Sequence, residues 1–167
     1  MTNSSARTLI LLRHAKSDWS GGEADIDRPL AESGLRQAPD AGGWLGMNVE
    51  PIQLALVSPA ERARVTWELA SSELEDLPEV RVEERVYAAS AGQLLEVVRE
   101  LPDELDTVVL VGHNPGMEDL ASVLAGRPIL LRTAGIAVIG VTGSWSELDT
   151  STAVLEVSGR SNGTELV

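Results

Sequence analysis

Three observations on this 167-residue chain predict an α/β fold, a single domain with a mainly parallel central sheet and helices on both faces. Short, near-continuous apolar runs of buried-strand length recur along the sequence. Amphipathic segments with 3.6-residue spacing lie between them. The length suits one domain, able to bury roughly two-thirds of the surface its unfolded chain exposes. Strands alternating with helices of this size build parallel sheets covered on both sides.

In chain order, residues 1–7 are polar and are expected to form a disordered tail ahead of a domain at 8–157. Residues 8–12 (TLILL) read as the first strand. Residues 33–47 have helix-like spacing, weakened by Pro39 and by Gly42 and Gly43. Residues 52–57 (IQLALV) form the next apolar run, and residues 59–74 follow as a helix with Ala63, Trp67, Ala70 and Leu74 on one stripe. Within 93–101, Leu94, Val97, Val98 and Leu101 share a face. Residues 107–111 (TVVLV) are a further strand. Asn114 and Pro115 then read as an N-cap and first helical position ahead of Met117, Leu120, Ala121 and Leu124. Residues 135–141 are apolar throughout, whereas 153–157 (AVLEV) alternate as an edge strand with one wet face does. Residues 158–167 are expected to fray as a C-terminal tail.

Composition narrows the function classes. A formal charge of −13 repels phosphate backbones and anionic lipid, so neither nucleic acid nor a membrane is an expected partner. The lack of cysteine excludes disulfides, a thiolate nucleophile and thiolate metal sites. The longest apolar run, 134–141, is too short to span a bilayer, and Arg13 interrupts the run that a signal peptide would need. A soluble, cytoplasmic protein is expected. Lys16 is the sole lysine, so any anion must be held by a few placed arginines.

Only two histidines are present, and each lies two residues past an apolar run: His14 after Leu12, His113 after Val111. In a parallel sheet both fall at carboxyl ends of strands, where sites form. Arg13 places a fork of donors beside His14. Gly112-His113-Asn114-Pro115-Gly116 runs from strand into helix, and its glycines let backbone N–H groups approach an anion. After Val57, Ser58-Pro59-Ala60-Glu61-Arg62-Ala63-Arg64 opens another helix. Arg62 and Arg64 lie roughly 200° apart around it, so they do not share a target, and either one could instead pair at the surface with Glu61 or Glu68. Two histidines and at least two arginines at strand ends suit phosphoryl transfer. The histidines are too dispersed for a metal set, and both a Walker loop and a Gly-x-Ser-x-Gly elbow are missing.

Four blocks in order resemble the histidine phosphatase superfamily. They are Leu11-Leu12-Arg13-His14-Ala15-Lys16-Ser17; Arg28-Pro29-Leu30 with Ser33-Gly34 and Gln37-Ala38; Ser58-Pro59-Ala60-Glu61-Arg62-Ala63 with Thr66; and Val111-Gly112-His113-Asn114-Pro115-Gly116. The wording of the first and last is most similar to SixA-type phosphohistidine phosphatases. The resemblance implies the histidine phosphatase/phosphoglycerate mutase-like fold, a nucleophilic His14, Arg13 and Arg62 as a phosphoryl clamp, His113 as the second pocket histidine, and no metal or organic cofactor. Within it, Ser20 follows Trp19 where larger members often carry Asn, and either donates to phosphate or is a plain turn residue. Arg28 either reaches substrate or pairs with Asp25 or Asp27. Glu83 and Glu84 fall where a carboxylic general acid would be expected, yet fit a solvated strand end beside Arg81 and Arg85. Without such an acid the chemistry favours a leaving group needing little help, such as the imidazole of phosphohistidine. The expected function is a metal-independent phosphatase acting on phosphohistidine in a protein. The alternatives are a phosphatase of a small phosphorylated metabolite and a non-catalytic phospho-ligand-binding module.

Overall fold

The computed structural model describes residues 6–167. The expected N-terminal tail therefore lies outside the described residues up to residue 5, and the first strand already begins at Arg7. Among the described residues, six strands form one sheet: β1 (Arg7–Arg13), β2 (Leu54–Val57), β3 (Glu79–Val82), β4 (Thr107–Gly112), β5 (Gly135–Val141) and β6 (Ala153–Arg160). Four α-helices cover it: α1 (Glu32–Asn48), α2 (Glu61–Ser71), α3 (Ala91–Arg99) and α4 (Gly116–Ala125). The sheet order is β3-β2-β4-β1-β5-β6. The first four of these are mutually parallel, while β5 and β6 join antiparallel.

The apolar runs are strands because both faces of the sheet are buried. Leu9 and Leu11 point to one side, with Leu54, Leu56, Val108 and Leu110, and pack under α3 and α4 through Leu94, Val98, Met117 and Leu120. Ile10 and Leu12 point to the other, with Ala55, Val57, Val109 and Val111, and meet Trp44 and Leu45 of α1 and Trp67 of α2. As its alternation predicts, β6 is an edge strand. The opposite edge, β3, is exposed at every residue, and its only apolar signal is the short alternation of Val80 and Val82.

Helix α1 runs through Pro39, Gly42 and Gly43 without interruption. Packing outweighs propensity there. A Cβ on Gly42 would stand 1.9 Å from the Ala70 carbonyl oxygen of α2, so only glycine permits the two helices to approach this closely. The C-terminal segment is ordered where fraying was expected. β6 continues to Arg160, Arg160 and Val167 exchange backbone hydrogen bonds of 3.2 and 2.8 Å, and Ser161 bridges to Leu166. Gly159, at φ +153°, lets the chain fold back where a side chain would crowd the Val167 carbonyl oxygen.

Gly42→Ala should destabilise the protein by about 1–3 kcal/mol through overpacking. Gly92→Ala, whose new methyl would meet almost nothing, should gain up to about 1 kcal/mol in its helix. Urea unfolding midpoints of the two variants test this contrast, and a neutral Gly42→Ala would contradict the tight α1–α2 contact.

Candidate active site

Three neighbouring strands, β2, β4 and β1, end side by side, and the loops that follow them converge. Leu12 pairs with Val111, Val111 with Val57, and Arg13 with Gly112. The first residues beyond β1 and β2 continue the ladder: His14 N–H donates to Gly112 O at 3.0 Å and Ser58 N–H to Val111 O at 3.1 Å. His14 is further fixed through its carbonyl, which accepts from Ala134 N–H at 3.0 Å. The next residue, Ala15, donates its N–H to Thr66 Oγ1 of α2 at 2.9 Å. Ala134 holds this position at φ +57°. The only other non-glycine residue with positive φ among the described residues is Ala88, at φ +55°, next to Tyr87.

The loops enclose a cavity of about 270 Å³ lined by Arg13, His14, Arg28, Arg62 and His113, with Ser17, Trp19, Asp25, Asn114 and Thr133 around them. Lys16 stands exposed at its mouth. The two imidazoles lie with ring centroids 5.0 Å apart. His14 is 7% exposed. Its Nδ1–H donates to its neighbour's carbonyl, Ala15 O, at 2.7 Å, which leaves the lone pair on Nε2. Burial pushes its pKa down to about 3, with His113, Arg62 and Arg13 adding in the same direction against the Ala15 hydrogen bond. The ring is therefore neutral at pH 7.

His113 is also held neutral, at about 4, first by burial and then by Arg62, against the opposing pull of Asp25. Its Nε2 lies 2.7 Å from Ser58 Oγ. That hydroxyl also accepts from Ala60 N–H; when its own proton is given to Nε2, the neutral ring carries its N–H on Nδ1 as a donor. Five buried side-chain polar atoms among the described residues have no partner, and three belong to this cavity: His113 Nδ1, Arg13 Nε and Arg62 Nε. Buried donors are rarely left so. With His113 Nδ1 protonated, all three are unpartnered donors on residues that line one cavity, which suits it to an anion.

Several other donors are committed. Arg13 donates from a terminal nitrogen to Leu131 O. Arg62 is 6% exposed and grips Asp25 twice, at the backbone carbonyl (2.6 Å) and at Oδ2 (3.0 Å). Tyr87 O–H donates to the same Oδ2, and Arg28 Nε donates to Oδ1 at 3.1 Å. The Tyr87 hydrogen bond, followed by those from Arg62 and Arg28, holds the Asp25 carboxyl well below the usual carboxylate range. Tyr87 moves upward for the same reason.

The structure thus brings Arg13, His14, Arg28, Arg62 and His113 together. Arg64 points elsewhere, exposed and bonded to Pro59 O. Arg28 pairs with Asp25, one of its two alternatives, and also lines the cavity, donating to Ser17 Oγ and stacking 3.3 Å over the Trp19 ring. Ser20 is a plain turn residue. Its N–H and Oγ both bond Asp18, and it is exposed outside the cavity. Glu83 and Glu84 are outside as well, and Glu83 is bound by Arg85, which holds its carboxyl low. Helix α4 starts one residue later than expected, at Gly116. Asn114 still satisfies its first turn by accepting from Glu118 N–H. Three contributors escaped the sequence reading: Ser58 as the partner of His113, Tyr87, and Asp25 beyond its pairing with Arg28. Ser58 lay inside a quoted block, but nothing in the sequence marks its hydroxyl as facing the second histidine.

No His, Asp or Glu side chains among the described residues form a group of three that could hold a metal ion. Nor is any helix there long and apolar enough to cross a membrane.

A neutral imidazole beside arginine and imidazole donors at the carboxyl edge of an α/β sheet is an arrangement suited to holding a phosphoryl group. The sequence model of the histidine phosphatase superfamily (branch 1) matches residues 9–127, and the chain belongs to that superfamily. An uncharacterized Mycobacterium tuberculosis protein, Rv1276c, is 40% identical over 155 residues, covering 86% of this chain and 96% of that protein. A chain from Nakamurella multipartitia described as a proposed SixA phosphohistidine phosphatase superposes with a TM-score of 0.81 at 27% identity, covering 93% of this chain and 96% of that one. A chain from Agrobacterium tumefaciens, described in the same terms, gives 0.75 at 29%, covering 83% and 94%.

Because both histidines are neutral in the folded protein, the unfolded chain takes up protons first as pH falls. Their contribution to stability is complete above about pH 6.5 and declines toward about pH 4 for His113 and about pH 3 for His14. At pH 5 the loss should reach at most roughly 2 kcal/mol per histidine relative to pH 7.5. Urea unfolding at the two pH values should show His14→Gln losing markedly less than the parent. Equal losses would contradict a buried, neutral His14.

Proposed function

We propose that this chain is a metal-independent phosphatase that works through a phosphohistidine intermediate on His14 and removes the phosphoryl group from phosphohistidine in a protein. One observation carries the substrate choice: the acidic groups at and near the cavity hold no proton to give. Asp25 is kept ionised by Tyr87, Arg62 and Arg28, Tyr87 commits its own proton to Asp25, and Glu83 is engaged by Arg85. An alkoxide leaving group needs a proton donor, whereas imidazole departs without one. The likeness to the two chains described as proposed SixA phosphohistidine phosphatases supports the same reading.

In this mechanism the His14 Nε2 lone pair attacks phosphorus in line. The new N–P bond forms as the bond to the departing nitrogen breaks, and that electron pair returns to the leaving ring. Arg13 and Arg62 face the phosphoryl oxygens, and the His113 Nδ1–H donates to them as charge builds. Ser58 acts as a positioning residue that fixes the His113 tautomer. Arg28 supplies a further cation on the substrate side. Water then attacks phosphorus of the intermediate, releasing inorganic phosphate and restoring His14. The positive charge comes from side chains, so turnover in this scheme survives chelation.

Phosphate release should be measured from a phosphohistidine-bearing protein and from an aryl phosphate, side by side in EDTA. A preference for the first is expected, and His14→Ala should lower it by at least about 10³-fold. Release from esters alone would redirect the reading to a phosphorylated metabolite, and release from neither would favour a binding module. Arg62→Ala should cost about 10²–10³-fold, with Arg64→Ala within twofold of the parent. Similar losses in the two variants would show the clamp to be wrongly assigned.

A further inference from the structure

We infer that the cleft on the far side of Arg62 and His113 is the leaving-group subsite, and that Asp25 selects there for a protonated nitrogen heterocycle by accepting its ring N–H. This rests on the phosphoramidate reading above and says how the site would favour such a substrate.

The cleft has a volume of about 490 Å³. It shares Asp25, Arg62, His113 and Asn114 with the phosphoryl cavity, but not His14. In-line displacement places the departing group on the side of phosphorus opposite the nucleophile. A space that borders the phosphoryl-holding groups and excludes the nucleophile fits that requirement. Ala88, Ala89 and Pro115 give it apolar surface suited to a flat ring.

Asp25 stands on the wall common to both spaces, with its side chain 50% exposed. Its Oδ2 accepts from Arg62 and Tyr87 and its Oδ1 from Arg28. A carboxylate offers about four lone-pair positions, so one remains on Oδ1. Three donors keep the group anionic, which makes it unable to protonate a leaving atom and well able to accept a hydrogen bond.

The chemistry gives that acceptor a use. When the free nitrogen of a phosphorylated imidazole carries a proton, the ring is cationic. Breaking the P–N bond then returns its electron pair to the ring, and neutral imidazole leaves with no proton delivered to the departing nitrogen. An anionic acceptor on the free N–H favours this protonated form. His14 is treated in the same way within the protein. Its Nδ1–H is held by Ala15 O, so when water displaces it from phosphorus it too departs as a neutral ring. The two displacements become matched, each with an oxygen holding the N–H of the imidazole that leaves.

The test compares kcat/KM on phosphoimidazole and on p-nitrophenyl phosphate for the parent enzyme and Asp25→Asn, both in EDTA. The variant is expected to lose at least tenfold more on phosphoimidazole than on the aryl ester. Equal losses would overturn the inference, because Asp25 would then merely position Arg62; so would a larger loss on the ester. If Asp25→Asn does not fold, Asp25→Glu, with its acceptor displaced by one methylene, is read by the same ratio. A parent enzyme inactive on phosphoimidazole but active on the ester would overturn the phosphoramidate reading itself, a failure visible before any variant is made.

Discussion

Everything at the site depends on the register of three parallel strands. With Val57, Val111 and Leu12 level across β2, β4 and β1, the residues just beyond them emerge on one edge of the sheet. Ser58 then lies within hydrogen-bond reach of His113, and His113 lies beside His14. A parallel ladder slipped by one residue would turn the strand side chains to the opposite face and carry these groups out of line. Burial specifies the register, because each of the three strands must satisfy two apolar layers at once.

That same burial sets the protonation states. Two imidazoles and two guanidinium groups packed at the end of a sheet are costly to desolvate, and the protein answers by keeping both imidazoles neutral while leaving the arginines charged. An overall acidic chain thereby holds a small cationic hollow whose donors are incompletely satisfied from within. Asp25 limits the positive charge by pinning Arg62 and Arg28, so the arginines are oriented without a bound anion.

The sheet was legible because β1, β2, β4 and β5 are buried on both faces and read as apolar runs, while β6 alternates as an edge does. The exception is β3, which is exposed and leaves only the short alternation of Val80 and Val82. His14, Arg13, Arg62 and His113 could be named from position after strand ends and from the four quoted blocks. The hydrogen bonds around them could not. Asp25 meets Arg62 and Tyr87 across separations of 37 and 62 residues, and Ser58 meets His113 across 55. Such pairings between loops have no sequence period, since they are fixed by how the sheet brings the loops together. The uninterrupted α1 was hidden for a different reason: a glycine that weakens an isolated helix is the residue that lets this one dock against α2.

Thr66 gives the arrangement a mechanical character. Its hydroxyl donates to Arg62 O within α2 and accepts from Ala15 N–H, one residue beyond the nucleophile. A single oxygen thus rivets the loop bearing His14 to the helix turn bearing Arg62. Neither can drift without dragging the other, so the gap between attacking nitrogen and clamping cation behaves like the fixed jaw of a caliper. Whatever adapts to incoming substrates must lie at the rim, around the exposed Trp19, while the root of the pocket, with Asp25 pinned to Arg62, keeps one gauge.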